Sequence, residues 1–316
     1  MPLPLWSCLL SYLPSRKACS ASNSEAKEKS VQFFYFFAIT AIYILMTWSF
    51  YLPYRVGQLH FLTIANMTIS GYFAAFAALT WHWPFALVLA LGFILGAVVG
   101  FLTSLAIGDA PCFAVVIVGF TFIYITKTIV ENVKNSILGG PEGLYGIPMV
   151  NRTTLIIVLY ALVVVIGILI HRFDHSRLGR ASSAVFVEKD LAASTGVNIK
   201  NLGIFLQTFA SAIGGLCGVL YAFIMRSLTP QYFTFHLVGI CMTILFVGGY
   251  ATPWGTVFAA PILYGIPLML PPSLQSWKVV IYGVLLLLVL VFKPEGFISR
   301  QLVYRIEHLG KKYRMH

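Results

Sequence analysis

The sequence HRFDHSRLGRASSAVFVEKDLAASTGVNIKN, residues 171–201, is the one long polar interruption between the apolar segments of this chain. It contains five basic and three acidic residues, namely Arg172, Arg177, Arg180, Lys189, Lys200, Asp174, Glu188 and Asp190. Residues 181–195 are rich in alanine and contain no proline or glycine, which predicts a short helix. Gly196 and Asn198 predict the end of that helix. A solvated connector and a docking surface for a soluble partner are both compatible with this pattern.

The rest of the chain is unusually apolar. Of its 316 residues, 59% are hydrophobic and only 10% are charged, whereas soluble domains contain about 25% charged residues. The composition predicts an all-α integral membrane protein and argues against soluble hydrolases, kinases and nucleic-acid-binding proteins. The net charge of +11 is concentrated, because 15 of the 21 Lys and Arg residues lie in residues 1–30, 172–200 and 293–316. Clustered basic residues beside apolar spans are typical of cytoplasmic faces.

These patterns divide the chain into three regions. Residues 1–30 form a cytoplasmic or interfacial segment, residues 31–292 a transmembrane domain that includes the polar loop 172–201, and residues 293–316 a basic cytoplasmic tail. The apolar segments predict about eight transmembrane helices plus one broken or re-entrant element, with both termini cytoplasmic. The spans are residues 31–52, 84–107, 112–130, 153–170, 202–224, 237–249, 255–270 and 277–292.

The broken or re-entrant element is predicted at residues 57–79. Polar side chains recur along this otherwise apolar segment, which favours a pathway lining over a lipid-facing helix. The candidate pathway residues are Gln58, Thr63, Asn66 and Ser70. To satisfy the positive-inside rule, the segment is predicted to enter and leave on the outer side. A membrane scaffold without transport activity would not need such a polar face.

Small residues predict where helices pack closely. Gly92, Gly96 and Gly100 recur at every fourth position, and residues 214–218 contain three further glycines. Such faces allow two helix backbones to approach each other closely. We expect these glycines to have a packing role.

The sequence contains no recognisable catalytic machinery. It has no P-loop and no obvious combination of nucleophile, base and orienting group. Its five cysteines form no CxxC pair, and no metal site or cofactor is predicted in this chain. The chain is therefore expected not to be an enzyme.

Lys127 and Glu131 are spaced i, i+4, which predicts a local ion pair between them.

Four motifs resemble the permeases of branched-chain amino acid ABC importers, in the same order and at similar spacing. They are SRLGRA with EKDLAASTGVN and GGLCGVLYA (residues 176–181, 188–198 and 214–222), GQL with Tyr72 (57–59), GGPEGL with GIP (139–144 and 146–148) and FKPEGF (292–297). The resemblance covers roughly residues 31–300. The glycine-rich outer-loop motif indicates a LivM-like member, since the LivH-type partner is not expected to have it. Departures occur at His60, in the polar face of residues 57–79, and at Phe186 and Val187.

The resemblance implies a specific assembly. ATP-binding ABC subunits would drive transport, and a second permease of LivH type or a second copy of this chain would complete the pathway. An extracytoplasmic solute-binding protein would deliver the solute, and the setting would be the bacterial inner membrane, with no nucleic acid partner. Carried over by position, the ATPase-coupling residues are Gly179, Arg180, Glu188, Asp190, Ala192 and Gly196.

The function implied by the resemblance is import of a small polar solute, powered by a separate ATPase. Branched-chain or related amino acids come first, and urea or short amides are the alternative cargo. A stand-alone channel or facilitator for small neutral solutes is the alternative mechanism. The polar loop discriminates between the two mechanisms, because a facilitator does not need a cytoplasmic docking helix.

Overall fold

The computed structural model describes residues 31–108, 110–133, 138–250 and 252–265, together with positions 277, 280, 283, 284, 287, 288 and 291. The helices are α1 (Val31–Tyr54), α2 (Leu62–Thr80), α3 (Phe85–Ile107), α4 (Cys112–Asn132), α5 (Arg152–Asp174), α6 (Arg177–Val187), α7 (Lys189–Ser194), α8 (Ile199–Met225), α9 (Phe235–Gly248) and α10 (Trp254–Ala260). Strands β1 (Leu144–Tyr145) and β2 (Ser227–Leu228) form an antiparallel pair. Short turns at Gly140–Glu142, Pro230–Tyr232 and Pro261–Gly265 complete the described elements.

Seven of these segments are long and apolar enough to cross a membrane, judged by length and composition. They are α1, α2, α3, α4, α5, α8 and the segment Pro230–Gly248. The predicted all-α membrane architecture is confirmed, whereas the predicted number of spans is tested only in part. Only scattered positions of the last predicted span, residues 277–292, are described, and residues 1–30 and 293–316 lie outside the described residues.

Local sequence determines where several helices begin. Pro84 and Pro111 immediately precede α3 and α4, where a residue without an N–H group loses no helical hydrogen bond. The side chain of Asn198 caps α8 by accepting a 3.0 Å hydrogen bond from the N–H of Asn201. The side chain of Ser176 caps α6 in the same way through the N–H of Gly179. The polar loop thus contains the start signals of both helices.

Helix α8 lies at the centre of the bundle, and its contact with α3 is made by small residues. A Cβ atom added to Gly96 would lie 2.7 Å from the carbonyl oxygen of Ser211 and 3.0 Å from the Cα of Gly215. Added Cβ atoms at Gly92 and Gly100 would collide with Val219 and Ser211. The predicted small-residue face of α3 is therefore confirmed as a packing surface.

A second small-residue face of α8 contacts α2. A Cβ atom at Gly214 would lie 2.5 Å from Cγ2 of Thr63, and one at Gly218 would collide with the carbonyl of Met67. On α2, a Cβ atom added to Gly71 would lie 3.1 Å from the carbonyl oxygen of Gly218. Helix α8 is consequently held between α2 and α3 at distances that larger side chains would not allow.

Helix α1 packs against α5 and against Pro253, which precedes α10, through the side chain of Trp48. The indole N–H of Trp48 donates a 2.8 Å hydrogen bond to the carbonyl of Pro253. The indole ring occupies the space beside Gly167 of α5, where an added Cβ would lie 2.8 Å from the ring.

The long helices fall into an inner group, α1, α2 and α8, and an outer group, α3, α4 and α5, which differ in how much of their surface is buried. In the most apolar windows of the inner helices 72%, 78% and 78% of residues are buried, compared with 22%, 28% and 33% in the outer ones.

The directions of α1 and α5 correct the predicted position of the start of α1. The guanidinium of Arg152, at the start of α5, lies 5.7 Å from the ring centre of Phe34. At the other end, the hydroxyl of Tyr51 donates a 2.8 Å hydrogen bond to Asp174. The two helices are therefore parallel, and Val31 lies at the opposite end of the bundle from α6 and α7. The prediction placed the start of α1 at the same face as residues 172–201, because it relied on the basic residues preceding Val31.

The predicted re-entrant path of residues 57–79 is also wrong. Helix α2 is continuous from Leu62 to Thr80, and it starts inside the bundle, where Gly119 of α4 lies against its first residues. The hydroxyl of Tyr72 donates to the carbonyl of Leu228, at the end of the bundle that contains the β-strands. The segment before α2 starts at the α6 end, so residues 55–80 together traverse the bundle.

Candidate functional site

The non-helical segment between α1 and α2 begins with a helix-capping turn. The N–H of Gln58 donates to the carbonyl of Pro53 at 3.1 Å, and the N–H of Gly57 donates to Tyr54 at 2.9 Å. Gly57 has a φ of 71°, which a residue without a Cβ adopts at little cost. This pair of hydrogen bonds is the Schellman arrangement, so the turn has a defined geometry.

This turn places Gln58 in contact with α8. The Nε2 of Gln207 donates a 2.7 Å hydrogen bond to Oε1 of Gln58, and both side chains are buried. One turn further along α8, Oγ of Ser211 lies 3.3 Å from Nε2 of His60. Polar groups of the connecting segment therefore pair with polar groups of α8 inside the bundle. The polar composition of both segments was visible in the sequence, but their pairing over about 150 residues was not.

All four predicted pathway residues lie inside the bundle, but they have different surroundings. Thr63 packs on Gly214, and Oγ of Ser70 donates to the carbonyl of Gly92 at 3.3 Å. Thr63 and Ser70 therefore join α2 to α8 and α3. Gln58 pairs with Gln207, as described above. That any of the four contacts a solute stays a prediction.

Asn66 is the exception among these residues. It is 1% exposed, and within the described part of the chain neither Oδ1 nor Nδ2 has a hydrogen-bond partner. The Oε1 atom of Gln207 is similarly buried without a partner among the described residues. An unsatisfied buried polar group costs about 1–3 kcal/mol of folding free energy. The bundle thus contains buried amide atoms that have no hydrogen-bond partner among the described residues.

The polar loop forms two helices instead of the single one predicted. Helix α6 ends at Val187, and α7 begins at Lys189 after the extended backbone of Glu188, which has φ −152° and ψ 112°. The break coincides with β-branched Val185 and Val187, which have a low helix propensity. Gly196, at φ 85°, ends the segment as predicted.

The six predicted coupling residues occupy different positions on this loop. Arg180, Glu188, Asp190 and Gly196 are exposed, whereas Gly179 and Ala192 are buried. A Cβ atom at Gly179 would lie 2.6 Å from the carbonyl oxygen of Asp174, so Gly179 packs α6 against the end of α5. Whether these residues contact an ATPase stays a prediction.

The outward surface of the loop contains apolar residues that the sequence analysis did not select. Val187 is 72% exposed and Leu191 is 65% exposed, on either side of the charged residues 188–190. They lie beside a backbone that is anchored by Gly179 and by the hydrogen bond from Arg180 to the carbonyl of His175. The exposed surface of the loop therefore combines apolar and charged side chains on a backbone that is packed against the end of α5.

An ion pair beneath the loop was also missed. The Nε of Arg55 lies 3.3 Å from Oδ1 of Asp174, and both side chains are largely buried. The two atoms are outside hydrogen-bond geometry, so their interaction is mainly electrostatic. By contrast, the predicted ion pair between Lys127 and Glu131 is present at 3.7 Å. The difference is sequence separation, because only an i, i+4 pair can be read from a helical pattern.

The glycine-rich loop of residues 139–148, predicted to be the outer loop, is held by the antiparallel pairing of Leu144 with Leu228. Its glycines at 139, 143 and 146 all have positive φ, as expected for a loop of defined shape. The side chain of Arg226 donates to the carbonyl of Ile147, and Gln231 donates to that of Pro141. The loop and the connection after α8 therefore form one unit at the end of the bundle opposite α6.

Comparisons with known proteins agree with this architecture. A family model described as branched-chain amino acid transport system / permease component matches residues 32–290. The chain is 26% identical over 144 residues to the high-affinity branched-chain amino acid transport system permease protein LivM of Escherichia coli (strain K12). It is 25% identical over 144 residues to the LivM protein of Salmonella typhimurium (strain LT2). Each match covers 46% of this chain and 34% of the relative, so the chain spans about a third of the length of these curated relatives.

No solved structure matches the chain. The family model nevertheless covers most of the sequence, including the connecting segment with Gln58, the polar loop and the outer loop. The chain belongs to the family of permease components of branched-chain amino acid transport systems.

Proposed function

We propose that this protein is a permease subunit of a bacterial inner-membrane ABC importer, and that a separate ATPase docks on α6 and α7. The observation that carries the proposal is the exposed pair Val187 and Leu191 on the anchored loop. Large exposed apolar side chains beside charges are typical of a protein contact surface. A facilitator would gain nothing from such a surface, so ATP-driven import is favoured over the stand-alone mechanism.

The proposed cargo is a small polar solute that meets the neutral groups of α2 and α8 on its way through the bundle. The unsatisfied amide atoms of Asn66 and Gln207 support this role, because a passing solute can supply their missing hydrogen bonds. Branched-chain amino acids are the first candidates, since this is the transport system of the family. Urea and short amides are the second, because neutral amide groups in the protein match their donors and acceptors.

The proposed assembly also includes a second permease, of LivH type or a second copy of this chain, and an extracytoplasmic solute-binding protein. The exposed apolar faces of α3, α4 and α5 are available for lipid or for the second permease. The anchored outer loop, with Tyr145 61% exposed, is the proposed contact for the solute-binding protein.

The docking proposal is tested by affinity purification of the tagged protein from its native membrane in mild detergent. The Val187→Asp/Leu191→Asp double variant should recover at least tenfold less ATPase than the wild type. Tyr145→Asp is the matched control, because it adds the same kind of charge at a similarly exposed position at the other end of the bundle. It should recover ATPase normally. Gly179 is less suitable for this purpose, since any side chain there would disturb α6 itself.

Recovery of the wild-type protein without any ATPase, together with passive leucine or urea flux in liposomes, would refute the importer and establish a facilitator. Equal recovery of ATPase with the double variant and the wild type would show that docking occurs elsewhere.

A further inference from the structure

Helix α6 has two direct contacts with the end of α1. The Nη2 of Arg55 donates a 2.9 Å hydrogen bond to Oγ of Ser183. The ring of Phe186 lies 5.5 Å from that of Tyr54, and both rings contact Tyr250. A displacement of α6 therefore acts directly on the last residues of α1. The apolar Phe186, a departure from the family pattern, is accounted for by this aromatic cluster.

The Arg55 side chain also interacts with Asp174, at the end of α5. This carboxylate accepts a 2.8 Å hydrogen bond from Tyr51 and lies 3.3 Å from Nε of Arg55. Since the two charged side chains are only 14% and 12% exposed, removing one of them would leave the other buried and unpaired. Arg55 thus links α1, the end of α5 and α6 at one point.

Arg55 is connected to the buried amide pair by the capping turn. Only Val56 and Gly57 separate it from Gln58, and the hydrogen bonds to Pro53 and Tyr54 fix the turn. Gln58 in turn accepts the 2.7 Å hydrogen bond from Gln207 of α8. A movement of the guanidinium with the last turn of α1 therefore moves Gln58 relative to α8.

We propose that Arg55 is a positioning residue that transmits a displacement of α6 to the contact between Gln58 and Gln207. This inference rests on the proposed function, in which the docked ATPase moves α6. Ser183 and Phe186 receive the displacement, and the rigid capping turn converts it into separation or closure of the two glutamines. The contact between Gln58 and Gln207 thereby changes with the nucleotide state of the ATPase, although the ATPase does not contact either glutamine.

The test is hydrogen exchange of the amides of residues 55–61 in the full transporter complex, with and without MgATP. In the wild type, MgATP should change the exchange rates of these amides at least tenfold. The Arg55→Met/Asp174→Asn double variant removes both buried charges together, so it should retain the ATPase and its hydrolysis. Its MgATP-dependent exchange change should be lost. Arg172→Met removes a charge from an exposed position at the same end of the bundle and should respond like the wild type.

Ser183→Ala provides a second variant with a smaller effect on folding, and it should reduce the exchange change severalfold. A complex that contains the ATPase but whose double and Ser183→Ala variants respond like the wild type would overturn this inference and leave the proposed function intact. The inference would fail in the same way if the wild-type complex hydrolysed ATP without any change in exchange at residues 55–61. A wild-type protein that recovers no ATPase would overturn both.

Discussion

The contact between α3 and α8 yields a prediction whose size follows from the geometry. In Gly215→Ala, the new Cβ would lie 2.5 Å from the carbonyl oxygen of Gly92, 3.0 Å from Oγ of Ser70 and 3.1 Å from Cα of Gly96. Ordinary contacts begin at 3.4 Å, so the two helices must separate by about 0.9 Å. Two of the three opposing atoms belong to the backbone of a helix and cannot rotate away. Overpacking of this kind costs about 1–3 kcal/mol.

Gly239→Ala on α9 is the matched control, because a Cβ there meets nothing within 4 Å. Both substitutions gain the same helix propensity, about 1 kcal/mol, so their difference isolates the packing cost. We therefore expect Gly215→Ala to be less stable than Gly239→Ala by about 1–3 kcal/mol.

The assay uses the buried thiols of Cys217 and Cys241, which react with a fluorescent maleimide only when heating unfolds the bundle. Cys8, Cys19 and Cys112 are first replaced by serine to remove background labelling, and all variants are heated at one scan rate. The labelling midpoint should be lowest for Gly215→Ala and highest for Gly239→Ala. Equal midpoints, or the reverse order, would refute the argument that close backbone contact between α3 and α8 limits stability.

Two further predictions concern the candidate site. Asn66→Leu removes an unsatisfied buried amide, so it should stabilise the bundle by about 1–3 kcal/mol and raise the labelling midpoint. Leucine uptake by the complex should fall at least tenfold in the same variant. A lower midpoint would mean that Asn66 contributes a stabilising interaction. Gly57→Ala forces a Cβ into a backbone with φ 71° but meets no atom, so it should cost about 1 kcal/mol, and Gly57→Asn less. Equal midpoints for the Ala and Asn variants would show that the capping turn rearranges.

Features of the fold that depend on short sequence separations could be predicted from the sequence. The glycines at every fourth position of α3 indicated a close helix contact, and Gly196 marked the end of the polar loop. Lys127 and Glu131 could be paired because one helical turn brings them together. For α3 and for this ion pair, the period of the helix supplies the geometry.

Features that depend on tertiary packing could not be predicted. Arg55 and Asp174 are far apart in sequence, and nothing local in either segment indicates that they form a pair. The direction of α1 was predicted from basic residues near Val31, but packing of α1 alongside α5 determines it. The break at Glu188 was missed because alanine content favours a helix, whereas the β-branched residues beside Glu188 oppose one.

The division between inner and outer helices has a consequence for how this sequence can change over time. Gly214 and Gly218 of α8 lie against the backbone of α2, so few side chains fit at either position. Outward positions on α5, such as Ile157 and Val164, are largely exposed on the bundle and require only an apolar side chain. In a saturation-mutagenesis library selected for folding, substitutions should therefore accumulate on the exposed faces of α3, α4 and α5. The inner helices should keep nearly their original sequence.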